Sequence, residues 1–228
     1  MIKIVRSFVL MALAPTLMIC ANDAATRLDA AASVFTEIMS APDKGIPQDL
    51  LDKSECIVIV PDLKKAAFVF GAKYGKGFIS CRNAERPGWS APAAVRVEGG
   101  SFGFQIGGAA VDYVMLVMNE RGADRLLGSR FTLGGNASVA AGPVGRDTTA
   151  QTDARMTAEI LTWSRQRGAF AGVSLTGATL REDQEWNTEM YGREMHNREI
   201  VRATDLKAPE AAEKLRAALN KYSSRSGR

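Results

Sequence analysis

Histidine is almost absent: His196 is the single one in 228 residues. Zinc sites draw on several histidines and cysteines at close spacing, and no such set exists here, so no metal or other cofactor is expected. Cysteine is scarce as well, confined to Cys20, Cys56 and Cys81. The glycine-rich stretch TLGGNASVAAGPVGR (132–146) lacks the ending that a nucleotide-binding P-loop needs. It closes on Pro143-Val144-Gly145-Arg146, so the lysine that reaches terminal phosphates and the hydroxyl that holds magnesium have no counterpart. Close backbone packing is the better account of its glycines, with Arg146 as a candidate anion contact. A large charge excess is missing too. The formal +4 falls to +2 once Lys3 and Arg6 are set aside with the leader, too little to argue for nucleic acid.

Long apolar runs are confined to the start. MIKIVRSFVLMALAPTLMICAND places two cations before an apolar stretch from Phe8 to Ile19, and small residues follow. That pattern predicts a secretory signal over residues 1–21, too short for a comfortable transmembrane helix, although an uncleaved anchor is the alternative. Leu17 stands three residues before Cys20 as a lipobox requires, which keeps lipidation at Cys20 open; the large Met18 and Ile19 favour ordinary cleavage after Ala21. The expected location is extracytoplasmic, periplasmic or secreted, peripheral to a membrane or lipid-anchored. In such a compartment Cys56 and Cys81 either pair as a disulfide or stay as two buried thiols.

What is present is a change of texture along the chain. Residues 24–39 put Leu28, Ala31, Ala32, Phe35, Ile38 and Met39 at helical spacing. Pro42 and Gly45 break that helix, and Pro47 predicts a second over Gln48–Lys53. Strands come next. CIVIVP is a short apolar run, and AAFVFGAKYGKGFISCR is expected to be two strands turning at Gly75-Lys76-Gly77. Gly99-Gly100 and Gly107-Gly108 are expected turn or bulge points, VDYVMLVM a buried strand, GADRLLGS a helical turn, and residues 158–178 a hairpin turning near 165–168. Helices are expected over 181–191 and 208–221. The reading is α+β: one domain over 22–222, a mainly antiparallel glycine-rich sheet flanked by N- and C-terminal helices, with a disordered tail over 223–228.

Few constellations suggest catalysis. GGSFG (99–103) matches the G-x-S-x-G nucleophile elbow and His196 lies downstream, but the elbow needs a helix straight after Ser101, where the sequence predicts strand. Glu182, Asp183 and Glu185 resemble a metal or acid/base cluster, but on a helix Glu182, Glu185 and Glu189 are expected to form a charged face. His196 lies in polar REMHNRE and is expected at the surface. The cations on the predicted hairpins are more informative. Lys64 and Lys65 precede one strand, Lys73 and Lys76 flank its turn, and Arg82 follows the next. Such a cluster beside apolar tips suits anionic lipid headgroups, at roughly 1 kcal/mol per cation near a charged surface.

Four phrases together resemble the SYLF domain family: ECIVIVPDLKKAAFVFGAKYGKGFISCR, GWSAPAAVRVEGGSFGFQIGGAAVDYVMLVMNERG, TLGGNASVAAGPVGR and GAFAGVSLTGATLREDQEWNTEMYG. They run in the family's order and cover the chain from about Ala25 to Gly192. The resemblance implies a non-enzymatic lipid-binding module, known in eukaryotic members for phosphoinositide recognition. Those members also carry Src-homology-3 or zinc-finger domains and act on cortical actin. It further implies a membrane helix whose counterpart here is residues 24–39, with Leu28, Phe35 and Met39 on its apolar face. The expected partner is an anionic phospholipid or membrane surface, bound through Lys64, Lys65, Lys73, Lys76, Arg82 and Arg146. The rival readings are an envelope scaffold that binds protein and, more remotely, a Ser101 hydrolase.

Overall fold

The computed structural model describes residues 23–41, 45–68, 70–83, 85–102, 107–128, 130–134, 139–142, 158–166, 169–170, 175 and 177–224. Cys20, Arg146 and residues 135–138 and 143–145 of the glycine-rich stretch lie outside them. Helix α1 spans Asp23–Ser40 and buries Leu28, Ala31, Ala32, Phe35 and Ile38, the stripe its 3.6-residue spacing creates. Helix α2, Gln48–Lys53, opens directly behind Pro47, whose fixed φ suits a helix start.

Nine strands follow among the described residues: β1 Cys56–Phe68, β2 Phe70–Cys81, β3 Ala93–Phe102, β4 Gly107–Val117, β5 Arg130–Thr132, β6 Val139–Ala141, β7 Ile160–Gln166, β8 Ala169–Phe170 and β9 Thr179–Glu182. They form one sheet in the order β5-β9-β3-β2-β1-β4-β7-β6, with β8 paired to β7; β6 and β7 are parallel and the other pairs antiparallel. Helix α3, Glu120–Leu126, follows β4 and is capped by Asn119. After β9 come α4 (Gln184–Tyr191), α5 (Asn197–Arg202), a 3-10 turn at Glu210–Ala212 and α6 (Glu213–Tyr222). The result is the expected α+β plan, a mostly antiparallel sheet with helices at both ends of the chain.

The expected turn at Gly75-Lys76-Gly77 is not a turn. Strand β2 runs straight through it, and the two strands pair as far as Phe68 opposite Phe70. The glycines serve crowding instead. A Cβ on Gly77 would fall 2.1 Å from the Ile59 carbonyl oxygen, and one on Gly75 would fall 3.0 Å from Leu63 Cα. That crowding comes from a β-bulge at Pro61-Asp62, where β1 carries one extra residue against both neighbours and Asp62 takes φ 51°. The bulge is pinned from several sides. Asp62 N–H donates to Asp112 Oδ1 at 2.9 Å, Arg165 binds Asp112 and Glu37, and Arg27 of α1 donates to the Pro61 carbonyl at 2.9 Å. The Arg165–Asp112–Glu37 chain therefore ties α1 to the sheet.

The end of the hairpin at Cys56 and Cys81, here its root, is thickly covered. The two cysteines face each other across β1 and β2 and are joined by a disulfide. Phe78 stacks on Trp186 of α4, and Phe35 meets Tyr222 of α6 edge-on. Other expectations shift slightly. The helix expected over 181–191 begins at Gln184 because 179–182 pair with β3 as β9; α5 had no counterpart in the sequence reading. Ser223, assigned to the tail, is buried. Lys64 and Lys65 lie inside β1 rather than before it, and Ser101 lies within β3, which lacks the strand-to-helix step of a nucleophile elbow. No described helix is long and apolar enough to cross a membrane.

Candidate anion-binding surface

Cross-strand pairing divides the cations between the two faces of the sheet. Lys65 stands opposite Lys73, and Lys73 opposite Gly99. The alternation on β4 brings Val111 and Tyr113 to this same inner face. Lys64 stands opposite Tyr74 on the outer face, the face on which Trp186 and α1 pack farther down.

The inner pair is electrostatically tense. Lys65 Nζ donates to Tyr113 Oη at 2.5 Å, and burial of that phenol pushes its pKa upward. Partial burial, reinforced by the Lys73 charge, lowers the Lys65 ammonium from 10.5 to about 8. An anionic group beside the pair would offset the Lys73 charge and favour the Lys65 ammonium. On the outer face Lys64 is exposed beside Tyr74, which at 49% exposure is the exposed large hydrophobic among the described residues.

All three lysines lie four or five residues from the hairpin reversal, roughly 13–17 Å along the strands. Between them the sequence is AAFVFGA, Ala66 to Ala72. The ends of β3 and β4 arrive at the same place, with Phe102 opposite Phe70 and Gly107 opposite Ala67. This end of the sheet, its tip, therefore joins apolar chain reversals to a collar of cations.

Lys76 and Arg82 do not belong to that collar. Lys76 Nζ lies 3.0 Å from Asp183 Oδ2 and 4.2 Å from the Trp186 ring centroid, with its side chain 17% exposed. Asp183 is buried, and its other oxygen caps α4 by accepting from Trp186 N–H. Of the acids expected on a charged helix face, Glu185 and Glu189 are exposed on α4, whereas Glu182 lies ahead of the helix, accepts from Asn197 N–H and bonds the exposed His196. Arg82 is buried, donating to the Ser223 carbonyl and hydroxyl at 2.8 and 2.6 Å and to the Leu51 carbonyl at 3.1 Å, and stacking on Trp89 at 3.8 Å. It fastens the end of α6 to α2. Leu28 and Phe35 are likewise core residues of α1, fully buried, with Met39 at the margin of that core.

A cleft of about 530 Å³ opens beside the disulfide, lined by Glu55, Glu85, Glu120, Asp124 and Arg202 among others. Its carboxylates have the wrong sign for an anionic headgroup. No cluster of three metal-ligating side chains occurs among the described residues.

Fold and surface together define an α+β sheet domain whose distinctive groups are cations on strands. Residues 98–222 match the profile of the family described as "Ysc84: Las17-binding protein actin regulator". The rat SH3 domain-containing YSC84-like protein 1 is 35% identical over 191 residues, 82% of this chain and 55% of that protein. Its human counterpart is 36% identical over the same length, and LAS seventeen-binding protein 3 of Saccharomyces cerevisiae is 36% identical over 154 residues, 66% of this chain and 33% of that one. The chain belongs to the Ysc84/SYLF family, as its phrases suggested. It spans about half the length or less of the relatives it matches.

Proposed function

We propose that this protein is a non-enzymatic, extracytoplasmic module that docks on anionic lipid through the tip of its sheet. The observation that carries this reading is the collar: Lys65 and Lys73 paired on one face, and Lys64 paired with exposed Tyr74 on the other, around an apolar reversal. A tip seated among acyl chains would hold these ammoniums near the phosphates, where each adds about 1 kcal/mol. The N-terminal leader sequence and the Cys56–Cys81 disulfide support an oxidising compartment. The names of the family and of the yeast relative, which speak of Las17 binding, favour a second reading in which a protein partner is the ligand.

Co-sedimentation with phosphatidylserine vesicles tests the first reading. The wild-type chain binds, more weakly as salt rises, and Lys65→Glu/Lys73→Glu lowers affinity by at least about 30-fold, since the two lost attractions alone are worth about 2 kcal/mol and two repulsions replace them. Binding that ignores both salt and the double substitution, or no binding at all, leaves the protein-partner reading in possession.

A further inference from the structure

The outer face carries a second set of cations that the hairpin reading does not use. Register places Lys76 opposite Arg96, Arg96 opposite Arg181, and Arg181 opposite Arg130, so one row crosses β2, β3, β9 and β5. Like charges directly opposite one another on neighbouring strands repel. Lys76 is neutralised by Asp183, but Arg96 and Arg181 share one carboxylate, Glu98, at 3.0 and 3.7 Å. Neither contact is aligned as a hydrogen bond, and the Nε atoms of both arginines are buried without a hydrogen-bond partner. Arg130, exposed at the end of the row, has no anionic partner among the described residues. The guanidiniums remain partly open, 37% exposed for Arg96 and 32% for Arg181.

We propose that the row Arg96–Arg181–Arg130 is a docking surface for an acidic segment of a protein partner. The chain's own Glu98 shows which chemistry the row takes, a carboxylate set between two guanidiniums. The position separates the row from the lipid site. It lies on the face opposite Lys65 and Lys73, and Lys76 is seven residues from the reversal, roughly 23 Å back from the tip. That is two to three residues, roughly 7–10 Å, behind the collar lysines, about one screening length at physiological salt, so the hold of a membrane docked at the tip on the row is weakened. The row is thus placed to take a partner while the tip is occupied.

A fluorescein-labelled octaglutamate peptide, read by anisotropy at low salt, tests the proposal alongside phosphatidylserine vesicles. The peptide binds with Kd below about 1 mM, and Arg130→Glu/Arg181→Glu weakens it at least about tenfold while vesicle binding holds. Lys65→Glu/Lys73→Glu has the opposite pattern. Should the reversed pair fail to fold, Arg130→Gln, a single exposed change, still weakens the peptide by about threefold. The proposal is overturned if octaglutamate does not bind, if its binding ignores these arginines, or if their reversal removes vesicle binding instead, which would assign the row to lipid.

Discussion

The two halves of the β1–β2 hairpin use the same kind of residue to opposite ends. At the root, Lys76 and Arg82 are enclosed by the C-terminal helices and spend their charge on Asp183, Ser223 and Leu51. At the tip, Lys65 and Lys73 are set against each other, and Lys64 stands in solvent beside Tyr74. A cation's role on this sheet follows from what the helices cover. Root cations hold the domain together, and tip cations are the ones the proposed docking would use.

The sharpest way to break the comparison is to cut a root contact. Asp183→Ala removes a helix cap and leaves the Lys76 ammonium beside only the more distant Glu185, so urea unfolding should show a loss of about 3 kcal/mol or more. Arg82→Ala should be similar, at about 3 kcal/mol, because it strips donors from several buried acceptors. In both variants vesicle binding by the molecules that remain folded should be unchanged. Coupled loss of stability and binding would erase the distinction between root and tip.

A gentler test uses pH. The folded Lys65 loses its proton at about 8 and the unfolded one near 10.5. Between those values the unfolded chain binds more protons, so Lys65 makes stability rise with pH across that window. Binding to an anion needs the charged form and should run the other way, falling as pH rises through about 8. Lys65→Arg, which stays charged, should abolish the fall. A co-sedimentation series at fixed salt checks this, and an unaltered fall in the arginine variant would remove Lys65 from the site.

The smallest effect is expected at His196. Its pKa is raised chiefly by the hydrogen bond to Glu182, so the pair's contribution is fully present below about 6.5, the ordinary value, and fades as pH rises through the folded pKa. The ring is exposed, and His196→Gln should leave the urea midpoint within error at neutral pH. A clear drop would mean that the turn into α5 depends on the imidazole.

Local signals were legible in the sequence and distant ones were not. The bounds of α2 followed from Pro47, and the face of α1 from its spacing. The glycines at 75 and 77 misled because glycine marks both turns and crowded strands, and only the bulge on β1 tells which. Arg82 could not be recognised as a fastener, since its partner Ser223 stands 141 residues away. The row of arginines was hidden for a related reason. Arg96, Arg130 and Arg181 are unremarkable in the sequence and become one feature only through the register of three strands.

The bulge at Pro61-Asp62 acts as a phase shifter on a signal of period two. Ahead of it the inward side chains of β1 are Val58 and Val60, and beyond it they are Leu63 and Lys65, an odd step that no regular strand could take. Root and tip can therefore change their alternation independently, each reset at this one point. A straight β1 that kept Asp62 but lost the bulge would turn Lys64 inward opposite Lys73 and Lys65 outward, exchanging the two faces of the collar without altering a single cation. The one residue that β1 has in excess thereby decides which lysine is paired with Lys73.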